Sequence, residues 1–262
     1  MSGVEPDTRS TVVRDRHYSL PRHVYACRTD DGVVFLDAKR DRYFGLGGAG
    51  VMALPDFVGN WPTQPGRMTK PPMDAPDIRC GDPTPIPHAE VQQVADKLIE
   101  QGLLCRGGDE APLISRVSVP PLAMDRPGVV MESRGELGPV DFIYFALACS
   151  RALWYLKRLP LEVIASRVTA ARRQEGPLDL VQVFGRVQAF RRLRRLLFSD
   201  KDRCLLNALA LVLFLRRYRL FPLFVIGVKT RPFAAHSWVQ HEQILLEGDP
   251  ASVCHFVPIL VA

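Results

Sequence analysis

Along the first third of the chain, apolar positions gather into short runs separated by turn residues. His23 to Cys27 is the first run, and Thr29-Asp30-Asp31-Gly32 breaks it. Val33 to Leu36 follows, and the charged stretch Asp37-Ala38-Lys39-Arg40-Asp41 leads into a third, Arg42 to Leu46. β-Branched and aromatic residues suit a pleated surface, and these connections are too short for helical crossovers. The pattern predicts a three-stranded antiparallel meander. The glycines of GLGGAG then open an apolar stretch, Val51 to Val58, which predicts a helix broken by Pro55. Prolines crowd the chain from Pro55 to Pro87, and a regular element cannot run through that density, so a long loop is expected. Periodicity returns after His88: Val91, Val94, Ala95, Leu98 and Ile99 fall at helical spacing. Gly102 closes that helix as its C′ residue, and Leu103 to Cys105 reads as extended.

Gly107 to Gly135 is polar and punctuated by Pro112, Pro120, Pro121 and Pro127, which is linker chemistry. Beyond it the 3.6-residue period dominates. Val140 to Arg158 and Leu161 to Gln174 carry apolar residues around most of their faces, and Leu180 to Leu197 is amphipathic with arginines on one side. Ser199-Asp200-Lys201-Asp202 has the S-x-x-D form of a helix start, and Cys204 follows at once. That helix is expected to run to about Arg219. Leu223 to Val228 predicts a strand, His236 to Gln240 and Gln243 to Leu246 a hairpin, and Phe256 to Val261 a last strand. Helices first and antiparallel strands last predict an α+β class. The implied division is a disordered arm over 1–16, a first domain over 17–106, a linker over 107–135 and a second domain over 136–262.

Composition narrows the chemistry. An apolar fraction of 47% in 262 residues is that of a core-forming protein, not of a disordered one. The first 20 residues carry both signs of charge and no apolar h-region, so no secretory signal is expected. The longest near-apolar runs, Phe142 to Cys149, Leu205 to Leu215 and Phe221 to Val228, fall short of the roughly 20 residues a membrane span needs. A cytoplasmic protein without a membrane partner is the reading. Cys27, Cys80, Cys105, Cys149, Cys204 and Cys254 include no CxxC pair, so free thiols are expected and no metal site. The net charge of +6 is concentrated in arginines between Arg186 and Arg219. Such a face suits nucleic acid, an acidic peptide or a phosphate, and equally a solvated helix surface.

Candidate chemistry centres on Cys204 and His236. A helix N-terminus and a nearby imidazolium both stabilise a thiolate, and Cys204 stands where a helix starts. The amides of that first turn are also placed to hold an oxyanion. His236 opens a strand whose alternation puts it on one face with Trp238. An acid just past the hairpin, Asp249 or Glu247, would accept the other ring proton. Trp238 is expected to wall the site, and Lys229 and Arg231 flank the strand before it. Gly45, Gly47 and Gly50 read as GxGxxG, but Pro55 and Pro62 interrupt the helix a dinucleotide fold needs, and the strands before it read as antiparallel. No Walker P-loop is present, and no recognisable cofactor motif.

The segment Asp202 to Asp249 carries D-R-C-L at the helix start, an apolar helix ending in Leu215-Arg216-Arg217-Tyr218, and then FVIGVKTRPFAAHSWVQHEQILLEGDP. This combination resembles the lasso-peptide B proteins of the transglutaminase-like superfamily. By that resemblance Cys204 is the nucleophile, His236 the base and Asp249 the acid, with Glu247 as the alternative. HVYACRTDDGVVFLDAKRDRYFGLGGAGVMAL is similar to the RiPP recognition element, a winged-helix-like module with a three-stranded sheet. The resemblance implies that a leader peptide adds to the edge Arg42, Tyr43, Phe44 and Leu46, beside Val91, Val94 and Leu98 on the last helix. The proline-dense middle departs from that family's compact pattern.

The combined expectation is a thiol protease that binds the leader of a ribosomally made lasso-peptide precursor and cuts at the leader–core junction. The resemblance adds ATP as a requirement with no site located, and an asparagine-synthetase-like lasso cyclase as a partner. Two alternatives stand beside it: a transglutaminase-like acyl transferase, and a winged-helix nucleic-acid-binding protein.

Overall fold

The computed structural model describes residues 17–62, 88–107, 137–172, 180–197 and 203–262. The expected arm, most of the proline-dense segment, nearly all of the linker and the S-x-x-D start before Cys204 lie outside these residues. The fold is mixed α and β, with a three-stranded antiparallel sheet in its N-terminal part.

The chain begins with β1 (Tyr18–Ser19), then β2 (Val24–Thr29), β3 (Gly32–Asp37) and β4 (Arg42–Leu46). The last three form the expected meander, in register from Tyr25↔Leu36 to Leu36↔Tyr43. Asp37 sets the turn between β3 and β4: its buried carboxylate accepts from the amides of Lys39 and Arg40. α1 (Ala49–Ala53) stops early, because Pro55 opens a 3-10 turn over Leu54–Phe57 in place of a continuous helix. α2 (His88–Glu100) then leads to β5 (Cys105–Arg106), which pairs with β1.

The second part holds α3 (Pro139–Arg158), α4 (Leu161–Arg172), α5 (Leu180–Leu197) and α6 (Cys204–Arg216). A four-stranded antiparallel sheet follows from β6 (Leu223–Thr230), β7 (Phe233–His241), β8 (Ile244–Glu247) and β9 (Val257–Val261), in spatial order β8-β7-β6-β9. A short helix, α7 (Pro250–Val253), joins β8 to β9. Ala208 to Leu215 of α6 are all buried, so this helix is the hub against which α3, α5 and the sheet pack. It ends at Arg216 rather than Arg219: Arg219 takes φ 60 and the Leu220 amide returns to the Leu215 carbonyl, closing the helix.

The N-terminal sheet is buried on both faces, and strand alternation divides the work. Val24, Ala26, Val33 and Phe35 face α1 and α2 with Leu54, Val91 and Leu98. Tyr25, Cys27, Val34 and Leu36 face the other way, into the core of α3 to α6 and β6 to β9. Two turns clasp the same joint. Asp41 Oδ1 accepts from the Leu161 amide and Ala38 O from the Glu162 amide, capping α4. Asp31 accepts from Thr230 Oγ1 at 2.7 Å and pairs with Arg231 at 2.9 Å.

The arginine side of α5 is partly turned inward. Arg191 and Arg194 both reach Glu247, and Arg191 also donates to the Leu246 carbonyl. Arg186 pairs with buried Asp141 at 2.8 Å, which also accepts from Tyr218. These arginines are committed to internal carboxylates and are unavailable as a free basic face. Among the described residues no helix is long and apolar enough to cross a membrane.

Candidate active site

Cys204 is the first residue of α6, with Arg203 in the N-cap position and no side-chain cap. The helix amides of this first turn have no helical partner and remain available to an anion. His236 lies on β7 opposite Gly227 of β6. Cys204 and His236 line one cavity, where the imidazole meets the sulfur.

The thiol pKa falls from 9.0 to about 7. The hydrogen bond with His236 is the largest cause; partial burial opposes it, and hydrogen bonds from Ser237 together with the charge of His236 add to the lowering. Ser237 Oγ is buried with no well-formed hydrogen bond of its own, so its side-chain influence on Cys204 is a close polar contact rather than an aligned bond. The other buried thiols behave in the opposite way. Burial pushes Cys27 up to about 12 and Cys149 to about 11, so neither is a nucleophile at neutral pH.

Iodoacetamide should therefore label Cys204 with a midpoint near pH 7, its rate falling about tenfold per pH unit below that as the thiolate is lost. Peptide mapping over pH 5–10 checks this, and a midpoint near 9 would remove the activated thiol.

The His236 ring contacts two aromatics. Trp238 stacks at 6.4 Å between centroids with an interplanar angle of 20°, and Phe256 lies at 5.3 Å. Trp238 is itself 2% exposed, and its Nε1 donates to Gln240 Oε1 at 2.7 Å. It thus buttresses the imidazole, a more specific role than the wall expected for it.

Asp249 is on the N-cap of α7. Its carboxylate accepts from the Ala251 and Ser252 amides and from Ser252 Oγ, not from His236. Hydrogen bonding to Ser252 is the main reason its pKa is lowered. Glu247, the alternative acid, is bound instead by Arg191 and Arg194. Lys229 lies over the Phe256 ring and Arg231 is paired with Asp31.

Among the described residues β4 pairs with β3 alone. The helix half of the leader expectation needs correction: Val91 and Leu98 are each 1% exposed, inside the core formed with β2 and β3. Both point inward because their stripe of α2 holds the sheet. Val94 is partly exposed, and Phe44 and Leu46 pack partly against the same core.

A cavity of about 360 Å³ opens beside the thiol. α6 and β7 contribute Cys204, Leu205, His236 and Ser237, and the α3–α4 corner contributes Leu156, Leu159 and Ile164. Leu36, Asp41 and Tyr43 come from the N-terminal sheet. Sequence reasoning did not place these last three, nor Ser237 and Phe256, at the site. Among the described residues no group of three or more His, Cys, Asp or Glu could hold a metal ion.

A partly exposed, low-pKa cysteine at a helix head, contacted by a strand histidine, is the arrangement of thiol-dependent hydrolases and acyltransferases. Residues 146–261 match the family model described as the transglutaminase-like superfamily. A transglutaminase-like domain thus spans both Cys204 and His236. No curated protein and no solved structure matches the chain significantly.

Proposed function

We propose that the protein is a thiol protease that removes the leader from a ribosomally made lasso-peptide precursor in the cytoplasm. One observation carries this reading: Cys204 is brought to about 7 by His236 beside an open cavity. The D-R-C-L and P-F-A-A-H-S-W-V segments support the lasso-specific part. In the reaction the Cys204 thiolate attacks the junction carbonyl, and the first-turn amides of α6 stabilise the oxyanion. His236 gives a proton to the departing core amine, and water then hydrolyses the acyl-enzyme with His236 as base.

Leader capture is assigned to the β4 edge, Arg42 to Leu46, by strand addition, with Val94 as the open position on α2. ATP and an asparagine-synthetase-like cyclase belong to the same proposal: the released amine is what a ring-forming partner would consume.

Asp249 is proposed as the residue that positions His236. The support is the order Cys204, His236, Asp249 along the chain and the place of Asp249 just past β8, whose Glu247 pairs with Val239 of the histidine strand. Asp249→Asn should lower kcat about a hundredfold with little change in KM and shift the acid limb of the pH–rate profile. Unchanged kcat would assign Asp249 to capping α7 alone.

The test is incubation with the precursor peptide, with and without ATP, followed by mass spectrometry. Hydrolysed leader plus free core supports the proposal. An amide-linked product would instead show acyl transfer. No reaction, together with salt-sensitive DNA or RNA binding, would move the protein to the nucleic-acid class.

A further inference from the structure

We propose that the cavity beside Cys204 is a side-chain pocket for a large apolar residue next to the scissile bond, with Tyr43 of the N-terminal sheet as a specificity-determining wall. This rests on the peptidase reading of Cys204 and adds the class of peptide it accepts.

The walls are hydrocarbon. Leu156 and Leu159 from the end of α3, Leu205 from α6 and Ile226 from β6 surround the space with the Tyr43 ring. At about 360 Å³ it lies at the small end of ligand pockets, which run from about 300 Å³, and suits one aromatic or large aliphatic side chain with its backbone. Among the described residues Asp41 is the one acidic group in the lining, and its Oδ1 already accepts from the Leu161 amide. Charged side chains would lose their water against walls that are mostly hydrocarbon, although the Ser237 hydroxyl also lines the cavity without an aligned partner of its own.

Tyr43 is fixed before any peptide arrives. Its ring is half-buried and meets Phe233 edge-on at 5.7 Å. Burial, then the Asp41 carboxylate and the Cys204 thiolate, hold its hydroxyl neutral, which also places the ring within electrostatic reach of the sulfur. Tyr43 stands on β4, so the strand whose edge is offered to a leader also walls the reaction cavity.

The experiment treats the full-length protein with two neutral chloroacetamides of similar length, N-phenethyl and N-(2-amino-2-oxoethyl), and measures labelling of each cysteine by peptide mass spectrometry. At Cys204 the phenethyl reagent should react at least about tenfold faster than the polar one, as burial of an aromatic group requires. At exposed Cys105 and Cys254 the two rates should agree within about twofold. Leu159→Trp, which fills the pocket, and Tyr43→Ala, which removes a wall, should each cut the Cys204 preference below about threefold. Equal rates at wild-type Cys204 overturn the pocket, and a preference untouched by Tyr43→Ala overturns the role of Tyr43. If iodoacetamide labels Cys204 no faster than Cys105, the peptidase reading itself fails.

Discussion

Cys204→Ala is expected to abolish the proposed leader release, lowering turnover by at least about a thousandfold while the protein remains folded. The sulfur lies in a partly open position at a helix head, not in the sealed core, so its loss leaves no large internal void. His236→Ala should fall nearly as far, because removal of either member of a coupled pair disables the pair. The two variants differ in a second readout. Without His236 the thiol loses the largest influence holding it near pH 7, so the iodoacetamide midpoint should move up toward 9.0. Circular dichroism, precursor turnover and pH-dependent labelling together check this. Wild-type release by Cys204→Ala would end the nucleophile assignment.

Gly227→Ala is expected to produce the largest stability loss for one added carbon. A Cβ built there would lie 2.7 Å from two atoms of the Trp238 ring and 3.0 Å from Phe256 Cβ. Trp238 is buried and tied to Gln240, so it has little room to retreat. Overpacking of this kind costs about 3 kcal/mol, a fall in Tm of about 5–10 °C for a chain of this size. The same two aromatics contact the His236 ring, so turnover should fall further than stability alone explains. Gly185→Ala in α5 is the control: nothing lies within 4 Å of its would-be Cβ, and helix propensity favours alanine by about 1 kcal/mol. Thermal melts of the two variants side by side decide the matter, and equal Tm values would mean that the packing around Trp238 is loose.

What the sequence revealed followed from how local the signal was. The sequence put Cys204 at a helix start, which it is. The S-x-x-D signal read for it lies outside the described residues, and the N-cap is Arg203 with no side-chain cap. Strand alternation set His236 on one face with Trp238. The meander from β2 to β4 was legible from equally local signals. Tyr43, Asp41 and Leu36 were not placed in the cavity, because their approach to Cys204 depends on how a sheet packs about 160 positions away, which no local period encodes. Helical spacing correctly grouped Val91 and Leu98 on one stripe of α2 but could not say that the module's own sheet had sealed it. The arginines of α5 looked solvated until Glu247 and Asp141 were seen beneath them. One missed element did have a readable signal: Asp249-Pro250-Ala251-Ser252 is an N-cap aspartate followed by proline in the first helical position.

Burial of the β2–β3 layer from both sides means that the two halves are not beads on a string. A protein cut between residues 107 and 137 would yield a C-terminal fragment missing part of its hydrophobic filling and one wall of the cavity beside Cys204. The other fragment would carry Tyr25, Cys27, Val34 and Leu36 bare to water. The described parts of the two halves therefore form one packed body, and on the proposed reading a disturbance at β4 would be felt at the thiol through Tyr43.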